Sequence, residues 1–188
     1  RGQKIVNGKD QRPLVSLVMN FTKPTDTKPS LLTFNEVTTF LHEFGHALHG
    51  MFSKCTYGST SMDGVSRDFV ELPSQFMENF ALEKEWLDTW AVHYQTGEKI
   101  PQEYIDKIKK SSNFQAGYAS DRQLSFGMVD MAWHTITEPV TEPLVDFEQR
   151  AMGKTEIMPL VKGSAFSPAF GHIFAGGYAA GYYGYKWA

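Results

Sequence analysis

From Leu14 to Thr22 apolar and polar positions alternate, with Val15, Leu17, Met19 and Phe21 on one side and Ser16 and Asn20 on the other. Period two over this length predicts a half-buried strand. Pro24 and Pro29 bracket a turn, and the period then changes. Thr33 and Glu36 stand at capping-box spacing, and Val37, Phe40, Leu41, Phe44, Leu48 and Met51 recur as one helical stripe. A helix is therefore expected from Thr33 to about Met51. A second long helical pattern runs over about 68–95, where Pro73 sits early enough to be tolerated in a first turn. Shorter helical patterns cover about 102–112, 120–137 and 142–152. Residues 1–12 are polar and read as a surface loop, and Tyr57 to Gly64 read as a flexible loop. The segment from Phe166 to Gly177 is rich in glycine and aromatics, and the pattern then turns helical again to the end. One strand and about six helices make the expected fold mainly α. One edge strand or small sheet precedes the helix that opens at Thr33, in one domain over 1–188.

Composition narrows the function classes. The 188 residues, 41% hydrophobic and 21% charged, suffice for a substantial core. With 18 basic against 21 acidic residues, the net charge of −3 gives no footprint for nucleic acid or an anionic membrane. No apolar run approaches the roughly 18 residues of a membrane span. The lone Cys55 cannot form an internal disulfide, which favours a reducing, cytoplasmic compartment and a small buried role for the thiol. The chain opens on Arg1 rather than methionine and closes on Trp187-Ala188 within a helical pattern. It is therefore expected to be a fragment of a longer protein, so the absence of a signal peptide here excludes no compartment.

The chemistry concentrates in Leu41-His42-Glu43-Phe44-Gly45-His46. On a helix, His42 and His46 share one face about 6 Å apart in rise, the spacing that lets two neutral imidazoles reach one tetrahedral Zn²⁺. Glu43 is rotated about 100° from His42, so it flanks the metal and is placed to deprotonate an attacking water. A chance match on an amphipathic helix is the alternative. Gly45 speaks against it, because a glycine inside a helix costs about 1 kcal/mol relative to alanine, and a close approach of another segment would account for it. The preceding edge-strand pattern also agrees, since extended peptides add to strand edges.

The third ligand is less determined. A third histidine in HExxHxxGxxH spacing fails, because His49 occupies the glycine position and Phe52 the final histidine position. The acids that remain are Asp63, Asp68, Glu71 and Glu78, among which position favours Glu71 only modestly. His49 shares the metal face a further turn away and reads as a packed or orienting residue. His93 and His134 lack acidic or cysteine companions at ligand spacing and read as solvated or capping. Near the C-terminus Tyr178, Tyr182 and Tyr185 follow i, i+4, i+7, while Tyr183 points elsewhere. They read either as an aromatic core stripe or as the lining of a cleft where a phenol donates to an oxyanion.

Three stretches in order, LHEFGHALHG (41–50), RDFVELPSQFMENF (67–80) and GHIFAGGYAAGYYGYKW (171–187), together with NFTKP at 20–24, resemble the thimet-oligopeptidase family of zinc metallopeptidases. The resemblance implies a zincin-like fold, one Zn²⁺ per chain and Glu71 as third ligand. Asp68 and Glu78 then become acids that could orient His42 or His46. The glycine-rich C-terminal segment matches a mobile loop whose residues contact substrate, which carries over to His172, Tyr178 and Tyr185, with Tyr182 less firmly placed.

The implied activity is hydrolysis of short peptides, with Glu43 as general base. A non-catalytic zinc-binding fragment and release of C-terminal dipeptides are the alternatives, and a secreted thermolysin-type endopeptidase is a more distant rival. The implied partners are peptide substrates and the remainder of the same polypeptide, a helical region absent from this chain, with no nucleic acid or membrane. Residues 1–188 alone are expected to bind zinc with little normal activity.

Overall fold

A computed structural model describes residues 2–159 and 161–188. The chain falls into two compact units that divide after Ser112. The class is the expected one, mainly helical with a small sheet ahead of the HExxH helix.

In the first unit, β1 (Lys4–Val6) and β2 (Lys9–Gln11) form an antiparallel hairpin in which Lys4 faces Gln11 and Val6 faces Lys9. Its turn is Asn7-Gly8, both at positive φ (51° and 74°), the pair that a two-residue type I′ turn demands. The surface-loop reading of residues 1–12 is thus corrected, and the Asn-Gly dipeptide was the signal for it. The strand expected over 14–22 does not form as a ladder among the described residues. Its alternation holds from Ser16 to Phe21, where Leu17, Met19 and Phe21 are half-buried and Ser16, Val18 and Asn20 exposed, but Val15, expected on the inner side, is exposed. What is missing is a second strand to pair with it.

Helix α1 (Phe34–Phe52) begins where the capping box places it. Thr33 Oγ1 accepts from the Glu36 N–H at 3.2 Å, and Glu36 Oε2 accepts from the Thr33 N–H at 2.7 Å. Glu36 also ties down the incoming chain, accepting from the Thr22 N–H at 2.6 Å and its hydroxyl at 2.8 Å. The long helix expected over 68–95 is broken. Pro73 has no N–H to return to Phe69, so α2 (Leu72–Glu78) starts only at the preceding residue. A 3₁₀ turn at Asn79–Leu82 follows, Glu83 is extended, and α3 (Lys84–Leu87) is a single turn. The chain then reverses through a Val92–Lys99 bridge, with Gly97 at φ 73°. Helix α4 (Gln102–Ser111) buries Ile105 completely, and Leu41, Ala47, Val70, Ala81 and Leu87 complete the buried apolar set.

The second unit is built on α5 (Ala116–His134) and α6 (Leu144–Met152), which pack together. Val129, Met152, Phe170, Ile173 and Tyr182 form its core, flanked by Phe126, Trp133 and Phe166. Burying an aliphatic or aromatic side chain of this size contributes about 1.5–3 kcal/mol. The C-terminal helix expected beyond Gly177 is also corrected. Only α7 (Gly171–Phe174) and α8 (Gly184–Trp187) are helical, and the residues between them turn because Ala180 takes a left-handed φ of 52°. Among the described residues no helix is long and apolar enough to cross a membrane.

Candidate metal centre

Helix α1 presents His42 and His46 on one face, both half-buried. Across from them Glu71 precedes the first turn of α2 and is 1% exposed. Its Oε2 lies 3.2 Å from His42 Nε2 and 3.2 Å from His46 Nε2. The arrangement depends on Gly45, which lies between the two histidines. A Cβ there would fall 2.4 Å from the Pro73 carbonyl oxygen and 2.6 Å from the Ser74 Cα. The close approach inferred from the helical glycine is therefore present, and the approaching segment is the start of α2.

Glu71 is held from its own side as well. The fully buried Ser74 donates its hydroxyl to Glu71 Oε2 at 3.0 Å and to the Glu71 carbonyl at 2.8 Å. Glu78, two turns along, places Oε1 2.7 Å from His42 Nδ1 and so orients that ring. The Glu71 hydrogen bond, then the Glu78 one, push the His42 pKa up to about 9 against the opposing effect of burial. His46 Nδ1 is buried with no hydrogen-bond partner among the described residues.

The donor set fits a metal. Ligand atoms of His42, His46 and Glu71 all lie within 4.8 Å of one another. Two ligands each about 2.0–2.1 Å from one tetrahedral ion stand about 3.3 Å apart, which the two 3.2 Å separations match. Two imidazoles and a carboxylate are also the chemistry zinc takes in open catalytic sites. Glu43, next to His42, is half-buried. His49 stays outside the cluster and packs edge-on against Phe69 at 6.2 Å, with burial, then His46, lowering its pKa.

In the second unit the tyrosines gather although the helix meant to align them is absent. Tyr178 and Tyr185 stack at 5.0 Å, Tyr182 lies 5.1 Å from Tyr185, and the His172 ring is about 6 Å from each of the three. Tyr182 is buried and its hydroxyl donates to Gln123 Oε1 at 3.2 Å; burial pushes its pKa up. His93 accepts from the Thr96 N–H at 3.2 Å in an exposed turn. His134 closes α5 and, against expectation, has an acidic companion one turn back: its Nδ1 lies 2.8 Å from both the Asp130 carbonyl and Asp130 Oδ1. Cys55 Sγ donates to the Thr60 carbonyl at 3.3 Å.

Sequence reasoning missed three polar residues that shape these sites. Ser74, Asp130 and Glu148 are each 2% exposed or less. The signal for the two acids was a breach of the helical pattern. Asp130 stands beside Val129 in the Phe126–Trp133 stripe, and Glu148 lies between Phe147 and Met152. An acid on an apolar face is rare unless it is paired.

Two imidazoles and a buried carboxylate converging from crossing helices, with a second glutamate beside them, form a candidate centre of the metal-dependent hydrolase class. The chain matches the model of peptidase family M3 over residues 2–188 and belongs to that family, one of metallopeptidases. It is 47% identical over 178 residues to organellar oligopeptidase A, chloroplastic/mitochondrial, of Arabidopsis thaliana, covering 94% of this chain and 22% of that protein. It is 43% identical over 188 residues to oligopeptidase A of Escherichia coli, covering 97% and 27%. To dipeptidyl carboxypeptidase of Salmonella typhimurium it is 41% identical over 180 residues, covering 95% and 26%. The chain thus spans about a quarter of the length of the curated relatives it matches. An organellar name among these relatives leaves the compartment open.

Proposed function

We propose that the chain carries the catalytic centre of a zinc peptidase that cleaves short peptides, with His42, His46 and Glu71 as ligands and Glu43 as general base. The observation that carries the reading is the pair of 3.2 Å separations joining both histidines to one buried carboxylate oxygen. His42, His46 and Glu71 would hold a zinc ion there, which would supply Lewis acidity to the scissile carbonyl and lower the pKa of water to about 7. Glu43 takes the proton from the attacking water and returns it to the leaving amine as the C–N bond breaks. Ser74 and Glu78 keep Glu71 and His42 in place meanwhile. Tyr178 and Tyr185 donate their hydroxyls to the developing oxyanion, and His172 contacts the substrate. What supports that role is the likeness of residues 171–187 to the family's glycine-rich, substrate-contacting loop.

Glu43→Gln in the full-length protein tests the reading. Turnover of a quenched fluorescent peptide is expected to vanish while zinc stoichiometry stays at one. Surviving turnover would remove Glu43 from the mechanism.

Release of C-terminal dipeptides is the second reading, favoured by the 41% identity to a dipeptidyl carboxypeptidase. Mass spectrometry of the products from one peptide with free and amidated C-termini separates the two. Loss of cleavage confined to the amidated form selects dipeptide release.

A further inference from the structure

Two buried carboxylates of the second unit have no part in the reaction described so far, and both are spent on backbone N–H groups of the C-terminal segment. Glu148 accepts from the Phe166 N–H at 2.9 Å and the Ser167 N–H at 2.6 Å, where the segment enters. Asp130, fully buried in α5, accepts from the Ala180 N–H at 2.9 Å through Oδ1 and from the Tyr182 N–H at 2.9 Å through Oδ2. The same Oδ1 lies 2.8 Å from His134 Nδ1.

The site of that second grip is unusual in its backbone. Ala180 sits at φ 52°, a left-handed conformation that a Cβ disfavours and that persists only where the surroundings impose it. Asp130 grips the backbone at this point, its two oxygens accepting from the N–H groups of Ala180 and Tyr182. The turn so fixed lies between Tyr178 and Tyr185, whose rings stack at 5.0 Å. A continuous helix would space these tyrosines along one face; the turn folds them onto each other instead.

We propose that Asp130 is a positioning residue that sets Tyr178 and Tyr185 for the reaction by clamping the Ala180 turn. The inference rests on the reading of those tyrosines as oxyanion donors. Asparagine is the informative replacement: it keeps the volume of Asp130 and turns one acceptor into a donor that faces a backbone N–H.

The test uses the full-length protein. Asp130→Asn is expected to lower kcat by about ten- to a hundredfold, the scale of a small misplacement of a reacting group, with KM and zinc stoichiometry little changed. Amide exchange at Ala180 and Tyr182 is expected to quicken at least about tenfold. The variant combining Asp130→Asn with Tyr185→Phe is expected to be no slower than the slower single variant. Adding Ala180→Gly to Asp130→Asn should recover part of the rate, since glycine adopts the left-handed turn unaided.

Unchanged exchange at both amides overturns the clamp. Faster exchange with unchanged kcat, while Tyr185→Phe is slow, overturns positioning and leaves the tyrosine reading standing. Silent Tyr178→Phe and Tyr185→Phe variants overturn the tyrosine reading, and the catalytic consequence of Asp130 with it. If Asp130→Asn does not fold, the same two amides in the unaltered protein decide. Slow exchange is expected although neither lies in a helix, and exchange at the rate of an open loop overturns the proposal.

Discussion

A side-chain carbon on Gly45 would meet the backbone of Pro73 at 2.4 Å, so α1 and α2 touch there through main chain alone. This contact puts Glu71, two residues before Pro73, against the face that carries His42 and His46. Replacing an open helical glycine by alanine ordinarily gains about 1 kcal/mol. Here the obstructing atoms are backbone and cannot swing aside, so the sign reverses. Gly45→Ala is expected to cost roughly 1–3 kcal/mol in stability. It should also weaken zinc binding by moving α2 outward. A thermal melt and a competitive zinc titration measure the two effects, and a more stable variant of unchanged affinity would contradict them.

Glu78 should be felt in affinity rather than in stoichiometry. Its Oε1 holds His42 Nδ1 at 2.7 Å, and removing such a partner typically weakens metal binding by about 10–100-fold. Glu78→Ala is expected to bind one zinc ion at correspondingly reduced affinity. Unaltered affinity in a chelator competition would show that Glu78 does not orient the ligand.

Metal removal should loosen the first unit. A ligand that binds only the folded state stabilises it by about 4 kcal/mol at a thousandfold excess over its Kd. Stripping the protein with a chelator is expected to lower Tm, and added zinc to restore it. In His46→Ala the melting temperature should respond weakly or not at all to zinc, which calorimetry can follow.

The capping box predicts an acid-sensitive helix start. The Thr33 N–H, helped by the hydroxyl and N–H of Thr22, lowers the Glu36 pKa from 4.5 to about 2. A depressed folded-state pKa means stability that is fully present above the unfolded value. It is lost as the pH falls from about 4.5 through about 2. Glu36→Gln should flatten the pH dependence of stability within that window, as denaturant midpoints measured at several pH values would reveal.

How much of this was readable beforehand depends on the range of the interaction. Helix α1 was legible almost to the residue, because the Thr33–Glu36 box and the apolar stripe are local signals. The pairing of His42 with His46 follows from helical geometry for the same reason. The nearness of Glu71 does not, since it requires α2 to cross at Gly45, and spacing in the sequence carries no information about that crossing. Residues 14–22 illustrate the converse: the alternation of burial was read correctly from Ser16 to Phe21 though not at Val15, and a strand also needs a neighbour. In the long pattern over 68–95, periodicity outweighed Pro73 and the extended Glu83. The tyrosines came together by another route than the one expected. The left-handed Ala180 donates its N–H to a carboxylate fifty positions earlier in the chain, a partner that local spacing does not reveal.

The crossing at Gly45 also defines what would have to be copied to reproduce this centre elsewhere. Grafting the five-residue HExxH motif onto a foreign helix would transfer two imidazoles and the Glu43 carboxylate but not the buried carboxylate of Glu71. The transferable unit is the helix pair: the glycine that admits the neighbouring backbone, the helix with Pro73 in its first turn that enters, and Ser74 fastening the acid between them. Position 45 and positions 73–74 therefore form one steric unit, and an engineer who altered one would have to redesign the other.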